Sequence, residues 1–474
     1  MKSYKSCLAA ILALVSAESC TKSAEPGTQD GGSVPAVESV SITDGAEKVA
    51  VDIGYIDILY DIPVSIADES AISLSDTETT VSATNLRVRI SFDRLNGETE
   101  YILDVKNGAV VSRNGNVPAE GFTVSFTTAE DTEIPPYTPE EPGEYTETLA
   151  MDNPLPNAER LYQYLLSIYG KNILSGAMAK VAWNTDEAEW IGKCTGKYPA
   201  MAFFDYIHLA SSPANWINYG DIAPVLDWWN EGGLVGAGWH WSVPVSEGSS
   251  QMSFNAEGNG FSAAAAVTSG TWENGVVNAD LDKIASYLLM LQEEGIPVIW
   301  RPLHEAAGNT YTYGTGAWFW WGADGAQAYR NLWIYIFEYL EQKGVRNLIW
   351  VWTTQTSSQS DADYAFYPGD EYVDIVGRDI YNLAGAEHFA SQFETITHMV
   401  PHKMAALSEL GNVDDIASQW DAGAHWLFFM PWYDNGNDFS SGYAHEHADI
   451  QWWNRSFGSD AVLDRSKLPS DLFE

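Results

Sequence analysis

The sequence predicts an α/β protein, a (β/α)8 or TIM barrel preceded by a small all-β sandwich. Three observations predict it. Across 149–474, eight apolar strand-like runs alternate with amphipathic helical runs, the pattern of parallel strands covered on both faces by helices. Across 37–128, short alternating runs are broken by turn residues and no helical period is sustained. Between them, 129–148 reads "AEDTEIPPYTPEEPGEYTET", a Pro- and Glu-rich stretch with the composition of a stiff, charged linker. A doubly wound open sheet is the alternative for the larger region. Against it, no glycine-rich dinucleotide or phosphate loop follows an early strand.

The elements follow in chain order. Residues 1–20, "MKSYKSCLAAILALVSAESC", place Lys2 and Lys5 before an apolar run from Cys7 to Ala17. This is the pattern of a secretory signal and is too short to span a bilayer. Cys20 follows the small residue Ser19 and resembles the acylated cysteine of bacterial lipoproteins; ordinary cleavage, with Cys20 free or removed, is the alternative. A lipid anchor would hold the chain at a bacterial outer membrane or cell surface, with the periplasm as the second location. Residues 21–36 have the small-polar composition of a flexible tether. The runs "IDILYDIPV", "LRVRISFD", "TEYILDVK" and "FTVSFTT" are the strands expected of the sandwich. With "LNGETEYILDVKNGAVVSRNGN" they resemble the bacterial Ig-like modules found beside secreted enzymes. No cluster of reactive groups stands out there, so a spacer role is expected, with glycan binding as the lesser reading.

In the barrel region the expected strands are "NILSG", "YPAMAFF", "GLVGAGWHW", "IPVIWR", "NLIWVW", "VDIVGRDIY", "KMAALSEL" and "HWLFFMPW". Runs such as "AERLYQYLLSIYG" and "AYRNLWIYIFEYLEQKG" carry apolar residues at helical spacing between them.

Composition narrows the function. Against 65 Asp+Glu stand 24 Lys+Arg, a formal charge of −41. Such a surface repels phosphate backbones and anionic lipid, so nucleic acid is excluded as a partner and a neutral substrate fits. Solubility is the plainer reading of the same acidity. The chain has 20 Trp, and aromatics make up 13% of it. Tryptophan faces stack on the apolar C–H faces of sugar rings, or else build a large core. Of three cysteines only Cys194 lies in the body of the protein, so no disulfide framework is expected. No cofactor and no catalytic metal set is expected, although a structural calcium on this acidic surface stays open.

In a (β/α)8 barrel reactive groups gather at the C-terminal ends of the strands. Those ends offer His240 and Trp241, then Arg301, His304 and Glu305, then Asp379 and Tyr381, then Glu409, and finally Trp432 with Asp434. Glu305 and Glu409 each closely follow an apolar run, where a carboxylate is costly unless paired or useful. Either could instead be a structural ion-pair partner of Arg301. Paired carboxylates across a sugar-binding cleft are the equipment of glycoside hydrolysis. No serine nucleophile elbow appears, and "LHEAA" is not the His-Glu-x-x-His zinc arrangement. "HEH" at His445–His447 could bind a metal but reads as a solvent loop beyond the last strand.

Taken in order, "GWHW", "RPLHEA" with "WFWWG" after it, "VGRDIYN", "ALSELG" and "FFMPW" resemble glycoside hydrolase family 26, whose best-known members are β-mannanases. The resemblance covers about 151–474. It implies a retaining mechanism with Glu305 as acid/base and Glu409 as nucleophile. It implies that His304 supports the acid/base, that Tyr381 hydrogen-bonds the nucleophile, and that Asp379 steadies the site. It places substrate contacts at His240, Arg301, Trp321 and Trp432, with Trp241 and Trp320 in the same aromatic wall. A neutral polysaccharide or oligosaccharide is the expected partner, β-1,4-mannan foremost, and the chain is expected to act as a monomer. The family also contains β-1,3-xylanases and mixed-linkage β-glucanases. A non-hydrolytic glycan-binding lipoprotein is the alternative from another class. One departure is the interposed "TYTYGTGA", 310–317, whose Tyr311 and Tyr313 would add to or reshape the cleft.

Overall fold

A computed structural model describes residues 33–474, apart from 50, 52, 85, 93, 115, 129–138, 181–182, 309–316, 357–359, 435–439 and 441. The expected signal, Cys20 and nearly all of the 310–317 insertion lie outside the described residues, as do most of the tether and the first half of the linker. Among the described residues no helix is long and apolar enough to cross a membrane.

The N-terminal region forms two four-stranded sheets. One runs Val37–Val40, Tyr55–Tyr60, Arg87–Phe92, Thr79–Thr84; the other runs Ala46–Val49, Phe122–Thr128, Glu100–Val105, Ile72–Leu74. Strict alternation explains the sandwich: Ile56, Ile58 and Tyr60 are sealed inside while Tyr55, Asp57 and Leu59 face outward. On that outer face Arg89 lies 3.8 Å over the Tyr55 ring, and Tyr55 Oη donates to the Ala323 carbonyl at 3.4 Å. The sandwich therefore touches the other region rather than hanging free of it.

The C-terminal region is a closed barrel of eight parallel strands: β1 (Ile173–Met178), β2 (Met201–Asp205), β3 (Leu234–Trp239), β4 (Val298–Pro302), β5 (Leu348–Gln355), β6 (Ile375–Tyr381), β7 (Met404–Gly411) and β8 (Phe428–Pro431). Each pairs with the next, and β1 pairs with both β2 and β8. Helix α1 (Pro156–Ile168) precedes β1. The connecting helices are α2 (Asp186–Thr195), α3 (Ala223–Asn230), α4 (Trp272–Glu293), α5 (Gly325–Gln342), α6 (Ala386–Met399), α7 (Ile416–Asp421) and, after β8, α8 (Ile450–Ser456). Burial on both faces explains why the strands read as unbroken apolar runs: every residue of β1, β4, β5 and β7 is buried. The helices show the complementary stripe. In α5, Tyr329, Leu332, Trp333, Ile336, Phe337 and Leu340 recur at three- and four-residue spacing and are buried. Capping sets the ends: Thr271 accepts from the Asn274 N–H to start α4, and Gly196 at φ 78° closes α2.

One irregularity positions the site. Gly377 pairs with Ala406 but Asp379 pairs with Glu409, so β7 carries one residue more than β6 across that interval. A bulge re-aims the side chains beyond it, and here it brings Glu409 opposite Asp379. Gly377 makes room: a Cβ there would stand 2.3 Å from Ser408 Oγ and 2.6 Å from Thr353 Oγ1.

Candidate active site

Strands β4, β6 and β7 deliver three carboxylates to one point at the C-terminal mouth. One oxygen each of Glu305, Asp379 and Glu409 lies within 4.8 Å of the other two. Glu305 follows β4 on a turn with left-handed backbone, φ 48° at Leu303 and 53° at Glu305. Neither residue adopts that region cheaply. The turn is tied down by the Glu305 N–H to the Thr353 carbonyl at 3.0 Å and by Tyr329 Oη to the Leu303 carbonyl at 3.0 Å. Glu409 sits in β7, 7% exposed, while Glu305 is partly open to the cleft.

Arg301, fully walled in, joins the acids. Its Nη2 pairs closely with Asp379 and lies 3.1 Å from Glu409 Oε2, while its Nε donates to Thr353 Oγ1 at 3.1 Å. The contact to Glu409 is charge pairing without hydrogen-bond alignment, since Oε2 has no donor. Glu409 Oε1 does have one: Tyr381 Oη, at 2.5 Å. Asp379 also accepts from Ser408 Oγ at 2.7 Å. The nucleophile candidate is thus held by one oxygen and leaves the other without a donor.

Burial pushes the Glu305 carboxyl well above its ordinary range, and the Asp379 and Glu409 carboxylates push it further. Asp379 is raised by burial too, but Arg301 opposes that shift. Of these two, Asp379 keeps the charge, because it faces the guanidinium and accepts from Ser408, and Glu305 keeps the proton. The Tyr381 phenol is raised well above 10 by burial and by Glu409, so it stays a donor.

Beside the acids lies a histidine pair. His240 Nδ1 meets Asp205 Oδ2 at 2.5 Å, and His240 Nε2 meets His304 Nε2 at 3.1 Å. With Asp205 accepting from Nδ1–H, the network assigns His304 Nε2–H as donor to His240. Burial, then Arg301 and His240, hold His304 well below its ordinary pKa, so it is neutral. Asp205 was missed in the sequence, although it ends the apolar run "MAFFD" just as Glu305 and Glu409 close theirs.

The aromatic wall differs from expectation. Trp241, Trp320 and Trp321 are 0% exposed and present no face to a substrate. Their indole N–H groups instead find internal acceptors: Trp241 to Asp280 Oδ2 at 2.8 Å, Trp320 to the Trp241 carbonyl at 2.7 Å, Trp321 to the His304 carbonyl at 2.9 Å. They are corrected from sugar contacts to supports. The reason is the tight turn Trp320–Ala323, which lies on the backbone behind Glu305; a Cβ on Gly322 would fall 1.9 Å from the Ala306 carbonyl oxygen. The wall's open face belongs to Trp318, 36% exposed, and to the partly buried Phe319, stacked 4.5 Å from Trp321. Opposite, Trp432 is half-buried, 5.4 Å from the His240 ring.

The expectation of a solvent loop at His445–His447 fits Glu446, which is exposed, and is corrected at His445. His445 is 8% exposed and bound to Glu187 of α2 at 3.1 Å, and Glu187 also accepts the Asp434 N–H at 3.1 Å. His445 Nδ1 accepts from the N–H groups of His447 and Ala448. It has no lone pair left for a metal. Among the described residues, the Glu305, Asp379 and Glu409 group alone brings such donor atoms together. A cation there would compete with the Arg301 guanidinium already paired to two of them.

Comparison with known proteins matches residues 151–457 to the glycosyl hydrolase family 26 profile and residues 32–128 to a bacterial Ig-like domain. Mannan endo-1,4-β-mannosidase B of Piromyces sp. is 31% identical over 335 residues, 68% of this chain and 54% of that one. The mannan endo-1,4-β-mannosidase of Thermothelomyces thermophilus is 33% identical over 289 residues, 59% of this chain and 55% of that one. The chain therefore spans about half the length of these curated relatives. Among solved structures, the family 26 domain of a Prevotella bryantii endo-β-mannanase/endo-β-glucanase is 40% identical with a TM-score of 0.62, covering 68% of this chain and 99% of that one.

Proposed function

The chain belongs to glycosyl hydrolase family 26, and from that premise we propose that it is a retaining, endo-acting β-1,4-mannanase. The observation that carries the mechanism is the carboxylate spacing. Donor oxygens of Glu305 and Glu409 within 4.8 Å suit the ~5–5.5 Å of retaining glycosidases and leave no space for the water of an inverting one, which needs ~6.5–9.5 Å. Substrate identity is supported by the relatives above, which are named for mannan.

Glu305 delivers its proton to the glycosidic oxygen as that bond breaks. Glu409 forms the bond to the anomeric carbon through its carboxylate, giving a glycosyl ester. Glu305, now ionised, takes a proton from water as that water attacks the same carbon, and Glu409 leaves as carboxylate. Tyr381 holds Oε1 throughout, and burial, with the Asp379 and Glu409 carboxylates, holds Glu305 in its protonated resting form against the opposing charge of Arg301. Trp318, Phe319 and Trp432 offer the apolar surface on which pyranose rings lie. The N-terminal pattern supports anchoring through Cys20 at a bacterial surface, with the enzyme acting as a monomer.

The test offers purified protein mannan, glucomannan, galactomannan, lichenan and β-1,3-xylan and follows the first product by NMR. Mannan oligosaccharides released initially as the β-anomer, with viscosity falling ahead of reducing-end release, are expected. An initial α-anomer would overturn retention, and turnover of lichenan or xylan alone would overturn the substrate.

A further inference from the structure

The two histidines of "HEH" do different work. His445 is spent on the brace: its Nδ1 accepts two amide protons, so its Nε2 carries the hydrogen given to Glu187. That brace fixes where His447 stands. The His447 carbonyl accepts the Asn412 N–H at 3.2 Å, tying the loop to the end of β7. Its ring stands edge-on to Tyr381, centroids 5.9 Å apart at 81°, and Tyr381 is the residue that grips Glu409.

Gly411 makes this packing possible. A Cβ there would lie 2.4 Å from His447 Nδ1 and 2.6 Å from the Tyr381 ring. Nδ1 is sealed from solvent and has no partner. A hydrogen on Nδ1 would point into that dry contact, so the neutral ring carries its hydrogen on Nε2. Burial draws the His447 pKa below its ordinary value; the carboxylates of Glu446, Asp434 and Glu409 oppose the shift, and His445 adds to it. His447 is partly buried. Since Nδ1 is its closed edge, Nε2 lies on the open one, and among the described residues no acceptor meets it. A neutral donor thus stands on the open edge of a ring packed against Tyr381, the residue that holds the nucleophile, with no acceptor among the described residues.

We propose that His447 is a substrate-binding residue, donating Nε2–H to a hydroxyl of the β-linked pyranose unit that lies against Tyr381 and Glu409. The proposal rests on the glycoside hydrolase reading. A neutral donor of this kind suits an uncharged hydroxyl, and its place beside Glu409 puts the contact in or next to the reacting subsite.

The test compares His447→Phe, which keeps the edge-on ring and removes the donor, with His447→Gln, whose Nε2 reaches the same position. On whichever polymer the wild type turns over, kcat/KM of the Phe variant should fall about three- to tenfold, the scale of one hydrogen bond. The Gln variant should recover most of that loss. Thermal melts check that each variant folds, and His447→Leu replaces Phe if the larger ring unfolds the loop. A donorless variant as active as wild type, or a Gln variant no better than Phe, would overturn the assignment. Turnover of a glucan or xylan in place of mannan would overturn the substrate proposed above and leave this comparison to be run on that polymer.

Discussion

Tyr381→Phe removes one oxygen and leaves the ring that packs against His447 and Gly411 in place. The loss is read from what holds Glu409. Among the described residues Tyr381 Oη gives that carboxylate its one hydrogen bond, to Oε1, while Arg301 at 3.1 Å supplies charge without alignment. The group is only 7% exposed, so water replaces the phenol poorly. A hydrogen bond to a charged partner contributes about 1.5–3 kcal/mol, and misalignment of the attacking oxygen adds to that. Turnover should therefore drop roughly ten- to a thousandfold, towards the lower end because Arg301 still balances the charge. The two half-reactions separate the causes. When Glu409 leaves the sugar it regains full negative charge, and the missing donor then costs most, so release from the glycosyl ester should slow more than its formation. With an aryl glycoside carrying an activated leaving group, rapid mixing should show a burst of phenol before a slow steady state. An unchanged rate with no burst would refute the reasoning, since Tyr381 would then only fill the barrel mouth.

Glu409→Ala should abolish turnover yet bind polymer, whereas Glu305→Ala should be least impaired on activated leaving groups, which need no proton; near-normal polymer hydrolysis by both variants would dismiss the two-carboxylate mechanism. In Asp379→Asn the charge that helps raise Glu305 is gone, so its proton is lost at lower pH. The alkaline limb of kcat/KM should move to lower pH, and a limb that stays put or moves up counts against the proton assignment. Glu187→Gln sets an amide donor against His445 Nε2–H or the Asp434 N–H, and should cost about 1–3 kcal/mol, seen as a lower melting temperature. An unchanged melt would mean the loop does not depend on that brace.

How much of this was legible varies with the range of the interaction. All eight barrel strands stand in the sequence as apolar runs because they are buried on both sides, and position at a strand's end exposes Glu305, Asp379, Tyr381 and Glu409. The bulge at Ser408 is not legible, because one additional residue in β7 has no signature of its own in "ALSELG". Contacts between distant segments are equally silent: Glu187 and His445 are 258 positions apart, and Asp205 and His240 are 35 apart. The wall "WFWWG" misled for a local reason. Four adjacent aromatics look alike in sequence, but a helical turn begins at Trp320, turning Trp320 and Trp321 inward onto backbone carbonyls and leaving Trp318 outside.

The charges at the barrel mouth show why so crowded a group of acids persists. Three carboxylates against one guanidinium would leave a net charge of about minus two in a buried place, which is strongly unfavourable. Glu305 relieves it by keeping its proton, and His304, held neutral by burial and by Arg301, adds no positive charge. Asp379 is matched to Arg301 through its closest contact. The charge left over is on Glu409. A neutral sugar does nothing to compensate it, but the anomeric carbon does as it becomes oxocarbenium-like in the transition state. The resting site is therefore one positive charge short, and the reaction coordinate supplies that charge at the atom Glu409 attacks, so stabilisation is greatest where the barrier is highest.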